Sequence, residues 1–587
     1  MFKGNFILMT DFFKNKLQTL TCKNIVTKLI IAIIAVSLVE TAFSPYNFNT
    51  SEYFISINFT LHLLATVGVF LLLFFTLDEK LDGYILISLL VCLFLLTNYQ
   101  SKSVFFALLT SLVIGGFVFY FSEKLSFPQL SKKLTLTFTI ILASLFVFFV
   151  GGITIAKYLS HRTPNFDFGI FSQMYHYMAN TFVPYTTCER DILLSHFAVH
   201  FSPILYIALP IYWLFPNPST ILAVQAIAVA LGAIPLYKLS KHFVLSNNKT
   251  LAFIIMYVLH PTVVANNFYY FHENCFLTVM LLWLFYFAEK KKTIPTFIFA
   301  LLTMMVKEDA PIYVLFFGLY LIFSNKGKIK GALLGALSAI YFSVVTKLMS
   351  IYGQGIMTYR YDNFLFESDG SIYDVVLNVI KNPSYVFTQL LSVEKIEFLI
   401  LMLVPLAFLP FAIKKPSGII LLFPMVLINL MTDYVYQYDI GFQYTYASIA
   451  FLFYLAVINA SELSPKVAKN LLLCGICASL IFFTAVNLYR IDAFETLSEE
   501  KDEIKIINTA LDTIPKDASI KSTTFFIPAL WNRDEVYEIA YTDEKTDYAV
   551  FDLRWNNKEH NEFLKSEADG FEVTFIEEGV IAIYKAK

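Results

Sequence analysis

Long apolar runs separated by short polar connections make up most of this 587-residue chain. Many of these runs reach the roughly 17–25 residues that a helix needs to cross a bilayer. The pattern therefore predicts an all-α polytopic membrane protein. The predicted spans are 25–43, 54–77, 83–98, 103–122, 134–156, 197–215, 218–240, 250–268, 275–289, 293–306, 311–324, 329–350, 396–413, 417–432, 444–460 and 466–488.

The last hundred residues follow a different pattern, in which helix-like segments alternate with short strand-like runs such as Asp547 to Asp552. Strands that alternate with helices indicate a small α/β domain. The chain is therefore predicted to have three parts. They are an extra N-terminal transmembrane module at 1–133, a transmembrane module at 134–489 with polar loops at 157–196 and 351–395, and a soluble α/β domain at 490–587.

The lysines orient the predicted spans, because cytoplasmic loops carry an excess of Lys and Arg. Lysine-bearing connections such as 290–292 and 325–330 are predicted to lie inside. This scheme gives a multi-pass protein of the cell membrane with a cytoplasmic N-terminus and about fifteen crossings. Both long loops and the C-terminal domain are then extracytoplasmic. The proline-containing run 197–215 is predicted to lie along, or to dip into, the outer face.

Asp167 is the first candidate for a functional group. The chain is 57% hydrophobic and 15% charged, yet four of its nine histidines lie between His161 and His200. Asp167 follows the predicted span 134–156, and an ionisable group held close to a membrane is a functional-site candidate. The net charge of −2 gives no basic surface of the kind that binds nucleic acid.

Three further polar clusters fall on the same outer side in this orientation. His272 and Glu273 lie between two spans, Lys307 and Glu308 follow another span, and Arg360 lies in the second long loop. An active site requires such groups to lie on one side of the membrane. The alternatives are a solvated turn for the His272 cluster and a self-neutralising helix cap for the Lys307 cluster.

Several short motifs carry a resemblance to a known family over roughly residues 134–587. The chain resembles a family of uncharacterised prokaryotic polytopic membrane proteins, which in turn resembles the GT-C glycosyltransferases. The family's soluble α/β tail also looks like residues 514–587. The motifs, in chain order, are Asn165–Gln173, His200–Ile204, Leu209–Tyr212, Gln225, Pro235–Tyr237, Phe271–Glu273 and Lys307–Asp309.

The resemblance implies a glycosyltransferase of the cell envelope. In GT-C enzymes an acidic residue of the first outer loop is catalytic and the donor is a polyprenyl-phosphate sugar, so the resemblance implies that Asp167 is the catalytic residue here. The loop has this lone carboxylate in place of Asp-x-Asp or Glu-x-Asp, which argues against a metal-dependent mechanism. No cofactor is certain from the sequence, and the involvement of a divalent cation stays possible.

The residues themselves are compatible with this chemistry. A sugar phosphate has a good leaving group, so one carboxylate suffices to take the proton of the acceptor hydroxyl. The phosphate needs cations or hydrogen-bond donors at the membrane surface, and the lipid tail would run between apolar helices. The candidate substrate-binding residues are Arg162, Gln173, His196, His200, His272, Glu273, Lys307, Glu308 and Arg360.

Two other classes of protein remain open. A transporter or flippase for a lipid-linked or anionic substrate would have ionisable residues in mid-span and corresponding Gly- or Pro-broken segments in its two halves. The charges here lie mostly at span ends and no internal repeat is clear, so this class ranks second. A non-catalytic membrane scaffold that displays the C-terminal domain would leave Asp167 dispensable.

Overall fold

Apolar helices long enough to cross a bilayer dominate the chain. The computed structural model describes residues 21–43, 58–355, 358–366, 372–555 and 557–587. Within them, eight helices have the length and composition of membrane spans, or nine if Asn247–Leu259 and Pro261–Tyr269, bent by 45° at their junction, form one span. The eight are Cys22–Phe43, Phe59–Thr76, Asp82–Ser101, Lys132–Leu159, Pro218–His242, Lys328–Tyr352, Gln443–Glu462 and Pro465–Val486.

Shorter apolar helices accompany these spans within the described residues. They are Val104–Tyr120, Cys275–Glu289, Thr293–Met304, Pro311–Phe323 and Pro416–Leu430. The predicted class, an all-α polytopic membrane protein with a small C-terminal sheet region, is confirmed. The count of about fifteen crossings stays a prediction. The first residues of the predicted span 54–77 lie outside the described part of the chain.

One compact unit comprises the described residues of 1–130 together with 403–408 and 463–489. Its C-terminal helix, Pro465–Val486, packs against Val104–Tyr120 and Asp82–Ser101, far back in the sequence. Inside this unit, Lys28 Nζ lies 2.9 Å from Asp82 Oδ1, and both side chains are buried. Each charge compensates the other, which a buried ion needs in order to persist in an apolar surrounding.

The second compact unit comprises residues 131–402, 409–462 and 490–587. Its central helix is Tyr446–Glu462, in which every residue from Tyr446 to Ala460 is buried. A helix that is apolar on all sides belongs in the interior of a bundle. Its neighbours include Cys275–Glu289, where the Phe285 ring stacks on Tyr454 at 4.6 Å between centroids.

The remaining helices of this unit surround that centre. They are Lys132–Leu159, Ile170–Thr181, Pro218–Leu231, Ala233–His242, Asn247–Leu259, Pro261–Ala265, Thr293–Met304, Pro311–Phe323, Lys328–Tyr352, Ile372–Lys381, Pro383–Leu390 and Val393–Leu403. The second long loop, predicted as polar, therefore contains two helices. The last helix ends at Leu403, before Pro405, so the predicted span 396–413 is not one continuous helix.

The run 197–215 forms three short helical segments, His196–Ala198, Pro203–Ile207 and Leu209–Leu214. None of them is long enough to cross a bilayer. Proline stands in the first turn of the second and third segments, where its missing N–H costs no helical hydrogen bond. The prolines therefore divide this apolar run, so that it is not a single spanning helix.

Seven short strands complete the second unit. Strands β1 (Tyr185–Thr186) and β2 (Leu194–Ser195) form an antiparallel pair in the first long polar loop. The C-terminal domain has a five-stranded sheet of order β4-β3-β5-β7-β6, with β3 parallel to both neighbours and β7 antiparallel to both neighbours. These strands are β3 Ile520–Ser522, β4 Val536–Glu538, β5 Tyr548–Asp552, β6 Phe571–Glu577 and β7 Ile581–Ala586.

Helices Asp492–Glu499, Lys501–Asp512 and Lys558–Ser566 complete the C-terminal domain. Its core is formed by apolar residues of helices and strands alike, for example Ile507, Ile520, Val550 and Ile583, all of which are fully buried. The predicted α/β pattern is therefore found here. Strand β4 was not predicted from the sequence.

Candidate active site

Asp167 lies in a short helical turn, Asn165–Gly169, directly before helix Ile170–Thr181. Phe166 departs from helical backbone within this turn, and the peptide bond between Phe166 and Asp167 is cis. Gly169 is needed because a Cβ there would stand 2.9 Å from Ile527 Cγ2. Phe168 and Gly169 are buried, whereas the Asp167 side chain stays 24% exposed.

Asp167 faces a cavity of about 220 Å³, called the polar cavity below. The chain segments that meet here are far apart in the sequence, yet five of the predicted site residues are among its lining. The lining residues are Phe166, Asp167, Ile170, Phe171, Glu189, Arg190, His196, Val199, His200, Tyr269, His272, Tyr359, Arg360, Tyr434, Gln443 and Tyr444.

The surroundings of Asp167 make its carboxylate a stronger base than an exposed one. Burial and the nearby charge of Glu273 raise the pKa of Asp167 to about 6, although Lys307 and His200 act in the opposite direction. A base whose pKa is close to the working pH combines a large ionised fraction with a high affinity for the proton. Asp167 therefore has the properties of a general base.

His272 is the imidazole next to Asp167. Its Nδ1 accepts a hydrogen bond from the Asn274 backbone N–H at 3.2 Å and lies equally far from Glu273 Oε2. Nε2 lies 4.0 Å from Asp167 Oδ2. Burial and the charge of Lys307 lower the pKa of His272 well below its ordinary value, so the imidazole is neutral. Its backbone N–H donates to Gln225 Oε1 at 2.9 Å, which gives this motif glutamine a structural role.

Glu273 and Lys307 form a buried ion pair behind the polar cavity. Lys307 Nζ lies 3.6 Å from Glu273 Oε1, and the side chains are 5% and 0% exposed. Burial alone would lower the pKa of Lys307, but Glu273 and Glu308 raise it above its ordinary value. The simple helix cap considered from the sequence is not found, because Lys307 pairs with a residue of another segment.

Two further carboxylate–imidazole pairs surround the polar cavity. His200 Nδ1 lies 2.9 Å from Glu308 Oε1, and His196 Nδ1 lies 2.9 Å from Glu189 Oε2. Burial would raise the pKa of Glu189, but His196 lowers it below the ordinary value. Burial would likewise lower the pKa of His196, but Glu189 raises it. Both shifts favour the ionic form of the Glu189–His196 pair.

Arg360 is held between two tyrosines. Its guanidinium carbon lies 4.5 Å from the ring centre of Tyr434 and 5.1 Å from that of Tyr444. Such cation–π contacts stabilise a guanidinium without neutralising it. The backbone oxygen of Arg360 accepts from Thr432 Oγ1 at 3.0 Å, which anchors this segment of the second long loop.

A second cavity, of about 480 Å³ and called the apolar cavity below, shares His200 and Arg360 with the polar cavity. Its polar end carries Lys307, Glu308 and Asp309, and the rest is almost entirely aliphatic and aromatic. The other lining residues are Ile312, Phe316, Phe342, Tyr361, Val375, Val376, Val379, Ile380, Phe423, Val426, Leu427, Ile428, Met431 and Gln437.

Arg162 and Gln173 line neither of these cavities, although the sequence suggested that they bind substrate. Arg162 forms an ion pair with Glu500 and lies over the Trp555 ring at 4.5 Å. The Gln173 amide donates to Thr187 Oγ1 at 3.0 Å and to the Arg533 backbone oxygen at 3.1 Å. Both side chains therefore attach the segment around the first long polar loop to the C-terminal domain.

The C-terminal domain holds the turn that carries Asp167. Asn165 donates from Nδ2 to Glu538 Oε2 at 2.9 Å and from its backbone N–H to Thr524 Oγ1 at 3.0 Å. Both Asn165 and Glu538 are buried. Sequence reasoning missed these contacts, and it also missed the tyrosines around Arg360. The tyrosine-rich stretch 434–444 is the sequence signal by which the tyrosines around Arg360 could have been found.

The described residues contain no group of three or more His, Cys, Asp or Glu side chains that could hold a metal ion. The carboxylates and imidazoles around the polar cavity are instead arranged as pairs, such as Glu189 with His196 and Glu308 with His200. The sequence had left a divalent cation open.

The fold and the site define a polytopic membrane protein with a polar site at one end of an apolar cavity. The chain matches the family model described as "Predicted membrane protein (DUF2079)" over residues 157–569, and it belongs to this family. The family resemblance seen in the sequence is thereby confirmed. No curated protein matches the chain.

Solved structures similar to this chain include two of ArnT from Cupriavidus metallidurans. The one bound to undecaprenyl phosphate is 9% identical, with a TM-score of 0.48, and the match covers 77% of this chain and 98% of that one. The apo structure is 11% identical, with a TM-score of 0.46, over 77% and 97% of the two chains.

Proposed function

We propose that this protein is a membrane glycosyltransferase that moves a sugar from a polyprenyl-phosphate donor to an extracytoplasmic acceptor. The observation that carries the proposal is that the polar cavity with Asp167 and the apolar cavity share His200 and Arg360. A lipid-linked sugar has a polar sugar, an anionic phosphate and an apolar chain in the same order. The two cavities offer complementary surfaces to these three parts.

The charges of the site suit such a ligand. Arg360 and Lys307 stay cationic and line the apolar cavity at its polar end, where they would bind the phosphate. Attraction between unlike charges is stronger beside a low-dielectric phase than in water. The sugar would lie in the polar cavity among Tyr269, Tyr434 and Tyr444, and the isoprenoid chain would lie against aliphatic side chains.

Asp167 is the base in the proposed reaction. Its carboxylate takes the proton of the acceptor hydroxyl while the acceptor oxygen bonds to the anomeric carbon. The bond between that carbon and the phosphate oxygen breaks, and its electron pair leaves with the polyprenyl phosphate. Of the cavity's carboxylates, Glu189 is already paired with His196, whereas the imidazole 4.0 Å from Asp167, that of His272, is neutral. Asp167 is therefore the carboxylate with capacity to accept a proton.

The proposal is tested by incubating the purified protein with sugar-bearing polyprenyl phosphates and solubilised envelope material as the source of acceptors. We expect free polyprenyl phosphate to appear in step with a glycosylated acceptor. The alternative, a flippase, is tested with the same donors in proteoliposomes. Movement of intact donor across the membrane, with no cleavage of the sugar–phosphate bond, would establish a flippase and overturn the proposal.

The site is proposed to face the outside, in agreement with the lysine distribution. We expect an impermeant thiol reagent added to intact cells to label cysteines placed at Leu193 and Glu578, which are exposed in the first outer loop and the C-terminal domain. A cysteine at the exposed position Lys328 should react only after lysis. The native thiols are blocked or replaced beforehand. Labelling of position 328 alone in intact cells would reverse the orientation.

A further inference from the structure

His200 is one of the two residues that line both the polar and the apolar cavity. Its orientation is fixed from behind by Glu308, whose Oε1 lies 2.9 Å from His200 Nδ1. The second oxygen, Oε2, accepts the Phe201 backbone N–H at 3.2 Å. This two-point attachment occupies Nδ1 and leaves Nε2 as the ring nitrogen that can meet a ligand.

A carboxylate that holds Nδ1 of a histidine favours the protonated ring and fixes its direction. Burial would raise the pKa of Glu308, but His200 and Lys307 lower it to about 2, so Glu308 is ionised at any working pH. The imidazole therefore stands beside a permanent negative charge. Other ionisable groups that act on His200 are Asp167, Glu189, His272 and Asp309.

We propose that His200, held by Glu308, is a second catalytic residue and donates the Nε2 proton to the leaving phosphate oxygen. This role rests on the proposed glycosyl transfer. It follows from position, because the phosphate of a lipid-linked sugar would lie where the two cavities meet. His200 and Arg360 are the residues common to both linings.

The step balances in protons and charge. The acceptor oxygen bonds to the anomeric carbon and its proton goes to Asp167. The bond from that carbon to the phosphate oxygen breaks, and this oxygen keeps the electron pair and takes the Nε2 proton of His200. The products are the glycosylated acceptor and monoanionic polyprenyl phosphate. Asp167 is then neutral and His200 uncharged, and a proton passed from Asp167 to His200 through water in the polar cavity restores both.

The test compares the pH dependence of kcat for the wild type, His200→Gln and Glu308→Gln, with a synthetic polyprenyl-phosphate sugar as the donor. We expect the wild-type profile to have a descending limb at high pH, because a general acid works only while it carries its proton. His200→Gln should lose about 10²–10⁴-fold in kcat, the usual contribution of general acid–base catalysis, and should lose this descending limb. Glu308→Gln should keep the limb but move it to lower pH.

His242→Gln is the matched control. This variant removes another His–Glu pair, in which His242 Nε2 lies 3.7 Å from Glu289 Oε2 and which lines neither cavity. Its profile should equal that of the wild type. Imidazole added to His200→Ala should restore part of the rate, an effect that a purely structural role of His200 would not produce.

The failures of the two proposals can be told apart. If the wild type transfers sugar and His200→Gln keeps the wild-type rate and descending limb, the role of His200 is wrong, but the proposed transfer stands. A wild type that releases no polyprenyl phosphate from any donor would overturn the proposed transfer, and the role of His200 with it. Loss of rate in His200→Gln with an unmoved limb in Glu308→Gln would show that Glu308 does not hold the imidazolium.

Discussion

Replacement of Asp167 by Asn is expected to abolish sugar transfer while protein yield and binding of polyprenyl phosphate stay close to those of the wild type. The amide keeps the shape of the side chain but cannot take up the acceptor proton. Removal of a general base typically costs about 10²–10⁴-fold in rate. The Asp167 side chain is partly exposed to the polar cavity, so its replacement leaves the packing of the turn intact.

The pH dependence of the wild-type rate is expected to follow the ionisation of Asp167. Asp167 works only when ionised, and burial raises its pKa to about 6. The kcat/KM of the wild type should therefore rise as the pH increases through about 6. The residual activity of Asp167→Asn should lack this rising limb. The rates of both proteins are measured as initial rates of polyprenyl phosphate release between about pH 4.5 and pH 8, a range that includes the pKa of Asp167.

Asp191→Asn is the matched control for this experiment. Asp191 is a carboxylate of the same outer loop, and it lines neither cavity. Its replacement should leave the rate and the rising limb unchanged. An Asp167→Asn protein with full turnover would remove Asp167 from the mechanism.

The membrane helices could be predicted from the sequence because hydropathy alone decides where a span is stable. The run 134–156 is found inside Lys132–Leu159, and the run 329–350 inside Lys328–Tyr352. Hydropathy alone does not predict a span where prolines interrupt an apolar run. The run 197–215 is as apolar as a span, but its prolines divide it into short helices whose arrangement depends on tertiary packing.

The candidate site was predictable in part for the same physical reason. Charged side chains are costly in an apolar chain, so their presence at span ends marked Asp167, Glu273 and Lys307. Their partners could not be predicted, because these are decided by which distant segments meet. Lys307 pairs with Glu273 and not with its neighbour Glu308, which instead binds His200. Arg162 was selected as a cation that could hold the lipid phosphate, yet it binds Glu500.

Lys307→Met is expected to lower both the free energy of unfolding and the affinity for polyprenyl phosphate. Lys307 is the cation closest to the fully buried Glu273, at 3.6 Å. Removal of one partner of a buried ion pair leaves an uncompensated charge and costs about 3–5 kcal/mol of stability. The loss of a charge-assisted hydrogen bond to the lipid phosphate adds a separate cost of about 1.5–3 kcal/mol in binding.

The double variant Lys307→Met, Glu273→Gln separates these two effects. It removes the uncompensated charge, so its stability should return toward that of the wild type, since replacing a whole buried pair is often nearly neutral. Its affinity for polyprenyl phosphate should stay as low as that of Lys307→Met, because no cation is restored. Unfolding is followed in detergent without lipid, and binding is measured on the same preparations.

The single variant Glu273→Gln is expected to change lipid binding in the opposite direction to Lys307→Met. This variant keeps the Lys307 ammonium and removes the anion that competes with the lipid phosphate for it, so we expect tighter binding of polyprenyl phosphate. It should also lower the pKa of Asp167, because the Glu273 charge is one of the causes that raise it. If the double variant instead binds polyprenyl phosphate as well as the wild type does, Lys307 serves only to balance Glu273, and Arg360 and His200 hold the phosphate without it.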